Sequence, residues 1–124
     1  MMLENHTSYS TKQLSGLVRA VYSRTARKYG TLRRWPKVVV DVVYAREPSD
    51  YRAYAEIGGR KIWLHLPRRR ASTAMLTYLI QHELLHLYGH MHRDKVFPWH
   101  WPTNFTPWHW SVGRFGQTLQ KERK

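Results

Sequence analysis

The run His82-Glu83-Leu84-Leu85-His86-Leu87-Tyr88-Gly89-His90-Met91-His92 constrains this chain more than any other feature, because it holds H-E-x-x-H and a further histidine ten residues after the first. On a helix, residues four apart stack one turn apart on one face, so His82 and His86 can offer both imidazoles to a single ion. Glu83 lies about 100° round from His82, on the flank of that face. There a carboxylate can take a proton from zinc-bound water without filling a coordination position. A catalytic zinc needs a third protein ligand and one open site, and Gly89 lets the helix stop and the chain turn back. His92 is then within reach as that ligand. The preceding Ala74-Met75-Leu76-Thr77-Tyr78-Leu79-Ile80 is apolar, which places His82, Glu83 and His86 where burial demands a partner.

At 124 residues the chain is expected to form one domain, 1–124, with one modest core. It has no cysteine, which excludes disulfides, a thiolate nucleophile and Cys-ligated zinc, and fits a reducing interior. The start Met1-Met2-Leu3-Glu4-Asn5-His6 lacks a basic segment followed by an apolar run, and no apolar stretch approaches the roughly 18 residues that span a bilayer. A soluble, unsecreted, cytoplasmic protein without a membrane partner is the expectation. Charge is the other constraint: 21 Lys and Arg against 8 Asp and Glu leave +13, and residues 1–40 contain a single acid, Glu4. Such a field attracts polyanions, with DNA or RNA ahead of an acidic protein or a membrane surface.

In chain order, Ser10 and Gln13 read as a capping box, and Leu14, Leu17, Val18, Val21, Tyr22 and Tyr29 recur at helical spacing, which predicts a helix from about Thr11 to Tyr29. Its other face carries Lys12, Arg19, Arg27 and Lys28, with Arg24 near the edge, and Arg33, Arg34 and Lys37 extend the basic patch. Val38 to Tyr44 is a β-branched run apolar on both faces, predicting an inner strand covered on two sides. Ala53 to Ile57 and Lys61 to Leu66 flank Gly58-Gly59, a hairpin signal. Arg68, Arg69 and Arg70 precede a helix that Ser72 or Thr73 can cap, and three cations at a helix N-terminus oppose its dipole. These six basic residues, Arg33, Arg34, Lys37 and Arg68 to Arg70, are the expected nucleic-acid contacts. Beyond His92 come two copies of Pro-Trp-His-Trp, at 98–101 and 107–110, expected to fold as an aromatic lid over the active helix. Stacking of unpaired bases is the other use of such rings. Val112 to Leu119 reads as a short last helix, and Lys121 to Lys124 as a frayed end.

Over residues 82 to 97 the sequence resembles the small intracellular zincin metallopeptidases of the YgjP and SprT type, whose active helix carries H-E-L-x-H-L, then another histidine and an aromatic segment. The matching residues are His82-Glu83-Leu84-Leu85-His86-Leu87, then His92, Phe97 and Trp99. The resemblance implies zinc held by His82, His86 and His92, with Glu83 as catalytic base. SprT relatives include DNA-dependent proteases that degrade proteins crosslinked to DNA, a setting suited to a basic chain. Gly89 and His92 are also in register with the metzincin pattern, but the last methionine, Met91, leaves no Met-turn after the helix. The motif is similar, too, to YbeY-type endoribonucleases, which have H-x-x-x-H-L-x-G-x-x-H with glycine typical where this chain has Glu83.

The expected architecture is therefore α+β and zincin-like: an N-terminal helix, a small three-stranded twisted sheet with a hairpin, the active-site helix, and an aromatic-rich C-terminal segment with a short helix. The expected function is zinc-dependent hydrolysis of a protein or peptide, Glu83 acting as general base, on substrates associated with nucleic acid. A YbeY-like zinc endoribonuclease and a nucleic-acid-binding module with structural zinc are the alternatives. Substrate would lie beside the Lys61 to Leu66 strand if that strand is an edge. His65, Tyr88, His90, His100 and His109 are candidates for the oxyanion donor.

Overall fold

The computed structural model of the chain describes residues 2–29, 38–47, 50–56, 60–87 and 118–122. Within them the order is β1 (Met2–Asn5), α1 (Thr11–Tyr29), β2 (Val39–Tyr44), β3 (Arg52–Ala55), β4 (Lys61–Leu66) and α2 (Thr73–Leu87). This is a small α+β arrangement of two helices on a four-stranded mixed sheet, ordered β1-β2-β4-β3. The β1/β2 and β2/β4 pairs are parallel, and β3/β4 is antiparallel.

Helix α1 has the bounds that its periodicity predicts. The Ser10 Oγ accepts from the Gln13 amide at 3.1 Å, one half of the capping box. The other half is replaced: the Gln13 Oε1 accepts from the Gln120 amide at 2.6 Å, and the Ser10 amide donates to the Gln120 carbonyl at 2.7 Å. Leu14, Val18 and Val21 are buried from this helix, while Lys12, Arg19, Arg24, Arg27 and Lys28 are exposed.

The sheet has four strands rather than three. Strand β1 escapes sequence reading because Met-Leu-Glu-Asn is four residues without a β-branched side chain. It forms because its backbone meets that of β2, with Met2 donating to Val38 and His6 to Val42, each at 2.8 Å. With β1 on one side and β4 on the other, β2 is an inner strand as expected, but it is not fully covered on two sides. Val38, Val40 and Val42 are buried, whereas Val39, Asp41 and Val43 are half-buried. The face of Val40, Val42, Ile62, Leu64 and Leu66 meets Leu14, Val18, Met75, Leu76 and Ile80 of the helices in one core.

The β3/β4 hairpin pairs Ala53 with Leu64 and Ala55 with Ile62. Its Gly58-Gly59 turn lies outside the described residues. Strand β4 sits between β2 and β3, so it is not an edge, and β3 is the outermost strand on that side.

Two expectations for the C-terminus are corrected. Thr118 is not helical but bridges to Ser72, and the Leu119 amide donates to the Ala71 carbonyl at 2.9 Å; residues 112–117 lie outside the described part. Lys121 and Glu122 do not fray: Lys121 bridges to Tyr9, and the Glu122 amide donates to the Ser8 carbonyl at 2.7 Å. The buried Leu119 and these backbone hydrogen bonds are what offset the chain entropy of holding the segment. No helix among the described residues is long and apolar enough to cross a membrane.

Candidate metal centre

Helix α2 is capped by Ser72, whose Oγ accepts from the Met75 amide at 3.3 Å. Its first turns bury Met75, Leu76, Leu79 and Ile80. His82 and His86 continue the stripe of Met75 and Leu79, since successive members are three or four residues apart, but both histidines are half-buried where the earlier residues are fully covered. The packed stripe thus opens in the last turns, and two imidazoles occupy the opening.

Their Nε2 atoms lie 3.1 Å apart, with ring centroids 4.8 Å apart and planes inclined at 73°. Two ligand atoms of a tetrahedral zinc, each about 2.0–2.1 Å from the ion, stand about 3.3 Å apart. The donor pair fits that geometry. Tyr78, one turn earlier, sets its ring 5.9 Å from that of His82.

Glu83 is 8% exposed, the only carboxylate among the described residues that is buried. Burial alone pushes its carboxyl up to about 8. Burial thus favours the neutral carboxyl, and a cation held by the neighbouring imidazoles would favour the ionised form instead. Leu84 and Leu85, both buried, fix the turn that carries it.

His92, Arg33, Arg34 and Lys37 lie outside the described residues, as do Tyr88, His90 and both Pro-Trp-His-Trp segments. Arg68, Arg69 and Arg70 are exposed, with the Arg68 guanidinium 4.7 Å above the Tyr44 ring. Leu64 and Leu66 point into the core shared with α2, so His65 faces the other side of the sheet, away from His82 and His86.

On that second face the structure gathers residues that sequence reading did not connect. Asp50 Oδ2 lies 2.8 Å from His65 Nδ1, and Asp50 Oδ1 accepts from the Tyr54 hydroxyl at 2.9 Å. These contacts, the His65 bond foremost, hold the Asp50 carboxyl below its ordinary value. Glu4, His6 and Asp41 form another group, with His6 Nε2 3.2 Å from Asp41 Oδ1 and 3.9 Å from Glu4. The Lys61 ammonium is 3.5 Å from Asp41 as well, so the half-buried Asp41 already has partners, with Glu4 and His6 exposed around it. The sequence carries no signal for this group, because it rests on the β1 register, which places Glu4 beside Asp41.

Comparison of the chain with protein-family models, with curated proteins and with solved structures returns no match.

Proposed function

We propose that the protein is a zincin-like, zinc-dependent metallopeptidase, with His82, His86 and His92 as the metal ligands and Glu83 as the general base. The observation that carries this reading is the convergence of the His82 and His86 Nε2 atoms at 3.1 Å beside a buried carboxylate. Bound zinc would supply a polarised carbonyl and a water of pKa about 7. The chain's own part is to hold the two imidazoles on one helical stripe and to keep Glu83 on its flank. There the carboxylate takes the proton from the attacking water and returns it to the leaving amine. An acyl substrate would lie extended along the outer edge of β3, which packs against α2 and carries no further strand among the described residues.

Elemental analysis should find one zinc per chain in the parent and a sharp fall in His86→Ala, with chelator abolishing cleavage of casein. Unchanged zinc in that variant would overturn the ligand assignment. Cleavage of RNA but of no protein would replace the peptidase by a nuclease.

A further inference from the structure

We infer that the exposed face of α1, together with Arg68 and Lys121 at its N-terminal end, is a docking surface for the phosphate backbone of a nucleic-acid duplex. The inference is independent of the zinc chemistry proposed above. Charge in this molecule is segregated by face. On the outer side of the sheet the described basic side chains Lys61 and Arg52 each meet an acid, Asp41 and Asp50, and the His6 and His65 rings lie against the same two carboxylates. On the helical side the balance fails. Helix α1 has no acidic residue in its 19 positions, and Lys12, Arg19, Arg24 and Arg27 make no ion pair among the described residues.

The tertiary structure adds cations that are remote in sequence. The Lys121 side chain donates to the Arg68 carbonyl, Lys121 pairs with Tyr9 two residues before α1, and the Lys121 and Arg68 charges both lie over the Tyr44 ring. Glu122, an acid at this end, is engaged: its Oε1 accepts from the Thr11 amide at 2.9 Å. Tyr44 registers the resulting field. Burial pushes its phenol up, yet hydrogen bonds from Ser8 and then the charges of Lys121 and Arg68 leave it below its ordinary value.

Shape selects the partner. From Lys12 to Arg27 the stripe runs about 22 Å, the axial rise of roughly six base pairs of a duplex. Between the cations stand Gly16, Ala20 and Ser23, all exposed, and a Cβ added at Gly16 would meet nothing within 4 Å. A phosphate chain can therefore approach the helix closely. The stripe has no aromatic ring on which an unpaired base could stack, which disfavours single strands. Its large apolar side chains are turned inward, with Leu14, Val18 and Val21 in the core and the half-buried Leu17 packed against it, which disfavours insertion into lipid.

The test titrates a short DNA duplex, an RNA duplex and vesicles of anionic lipid with the full chain, in chelator, over a range of salt. Chelator keeps the outcome separate from that of the metal site. Replacing Arg19, Arg24 and Arg27 together by Gln should lower the slope of log affinity against log salt by about 2.7, so that a fourfold rise in salt weakens the variant about 40-fold less than the parent. Ser23→Glu sets a carboxylate four residues from both Arg19 and Arg27, which keeps the helix stable while reducing its positive field, and should also weaken duplex binding. A triple variant with the parent's affinity and slope overturns the inference. So does a parent that binds the vesicles and neither duplex, or an unaffected Ser23→Glu.

Discussion

The two helices share one core and divide the labour differently. Helix α1 is amphipathic: one stripe, Leu14, Val18 and Val21, is buried, and the opposite side is exposed and basic. Helix α2 has no exposed residue at all, and Met75, Leu76, Leu79, Ile80, Glu83, Leu84 and Leu85 are buried round most of its circumference. The outer side of α1 is thus free to change without touching the fold. In α2 the residues that hold the protein together alternate with those of the candidate site, so nearly every substitution acts on both.

The largest expected effect separates site from fold within α2. Glu83→Gln retains the size of the side chain and removes its basicity, so a zinc-replete variant should lose about 10²- to 10⁴-fold in protein cleavage. In the metal-free protein Glu83→Leu should unfold at higher denaturant than the parent, by about 1 kcal/mol or more, because a buried carboxyl is replaced by a packed side chain. A metal-free Glu83→Leu less stable than the parent would show that the carboxyl is structural.

Next comes the contrast in tolerance. Ile80 is fully buried, and Ile80→Ala should cost about 2–5 kcal/mol in chemical denaturation. Arg24→Ala, on the exposed side of α1, should stay within about 0.5 kcal/mol. Similar losses in the two variants would mean that α1 is covered by something on its outer face.

A smaller effect tests what ties the helices together. Residues 118–122 bind both N-terminal ends: Thr118 and Leu119 at Ser72 and Ala71, and Gln120 and Glu122 at Ser10, Gln13 and Thr11. Glu122→Ala should cost about 0.5–1 kcal/mol, as the loss of an anion at a helix N-terminus does, and the cost should shrink at high salt. Amide exchange should quicken in the first turn of α1 and leave α2 unchanged.

The smallest effect lies on the other side of the sheet. The Asp50 carboxyl is held below its ordinary value, so its contribution is present above the unfolded carboxylate pKa of about 3.9 and is lost as pH falls through the lower folded value. Asp50→Asn should therefore be less stable than the parent by up to about 1 kcal/mol at neutral pH, since the group is partly exposed, and equal to it in strong acid. A difference that persists in strong acid would assign the effect to packing.

Much of this arrangement was legible in the residues alone because it depends on local periodicity. The bounds of α1, the Ser72 cap, the inner position of β2 and the pairing of β3 with β4 all follow from spacing and from turn and capping chemistry that neighbouring residues carry. The same holds for His82, Glu83 and His86, since an interval of four on a helix dictates which side chains meet. Tertiary structure decided what depends on long-range backbone partners. Strand β1 exists because β2 offers it hydrogen bonds, β4 is internal because β1 and β3 are the edges, and residues 118–122 are ordered because two helix ends need their amides satisfied. Those pairings join residues tens of positions apart, and they alone bring Lys121 to Arg68 at the start of α1 and turn His65 away from α2. Spacing along the chain carries no information about such contacts, because it records which side of an element a residue occupies and not which element lies opposite.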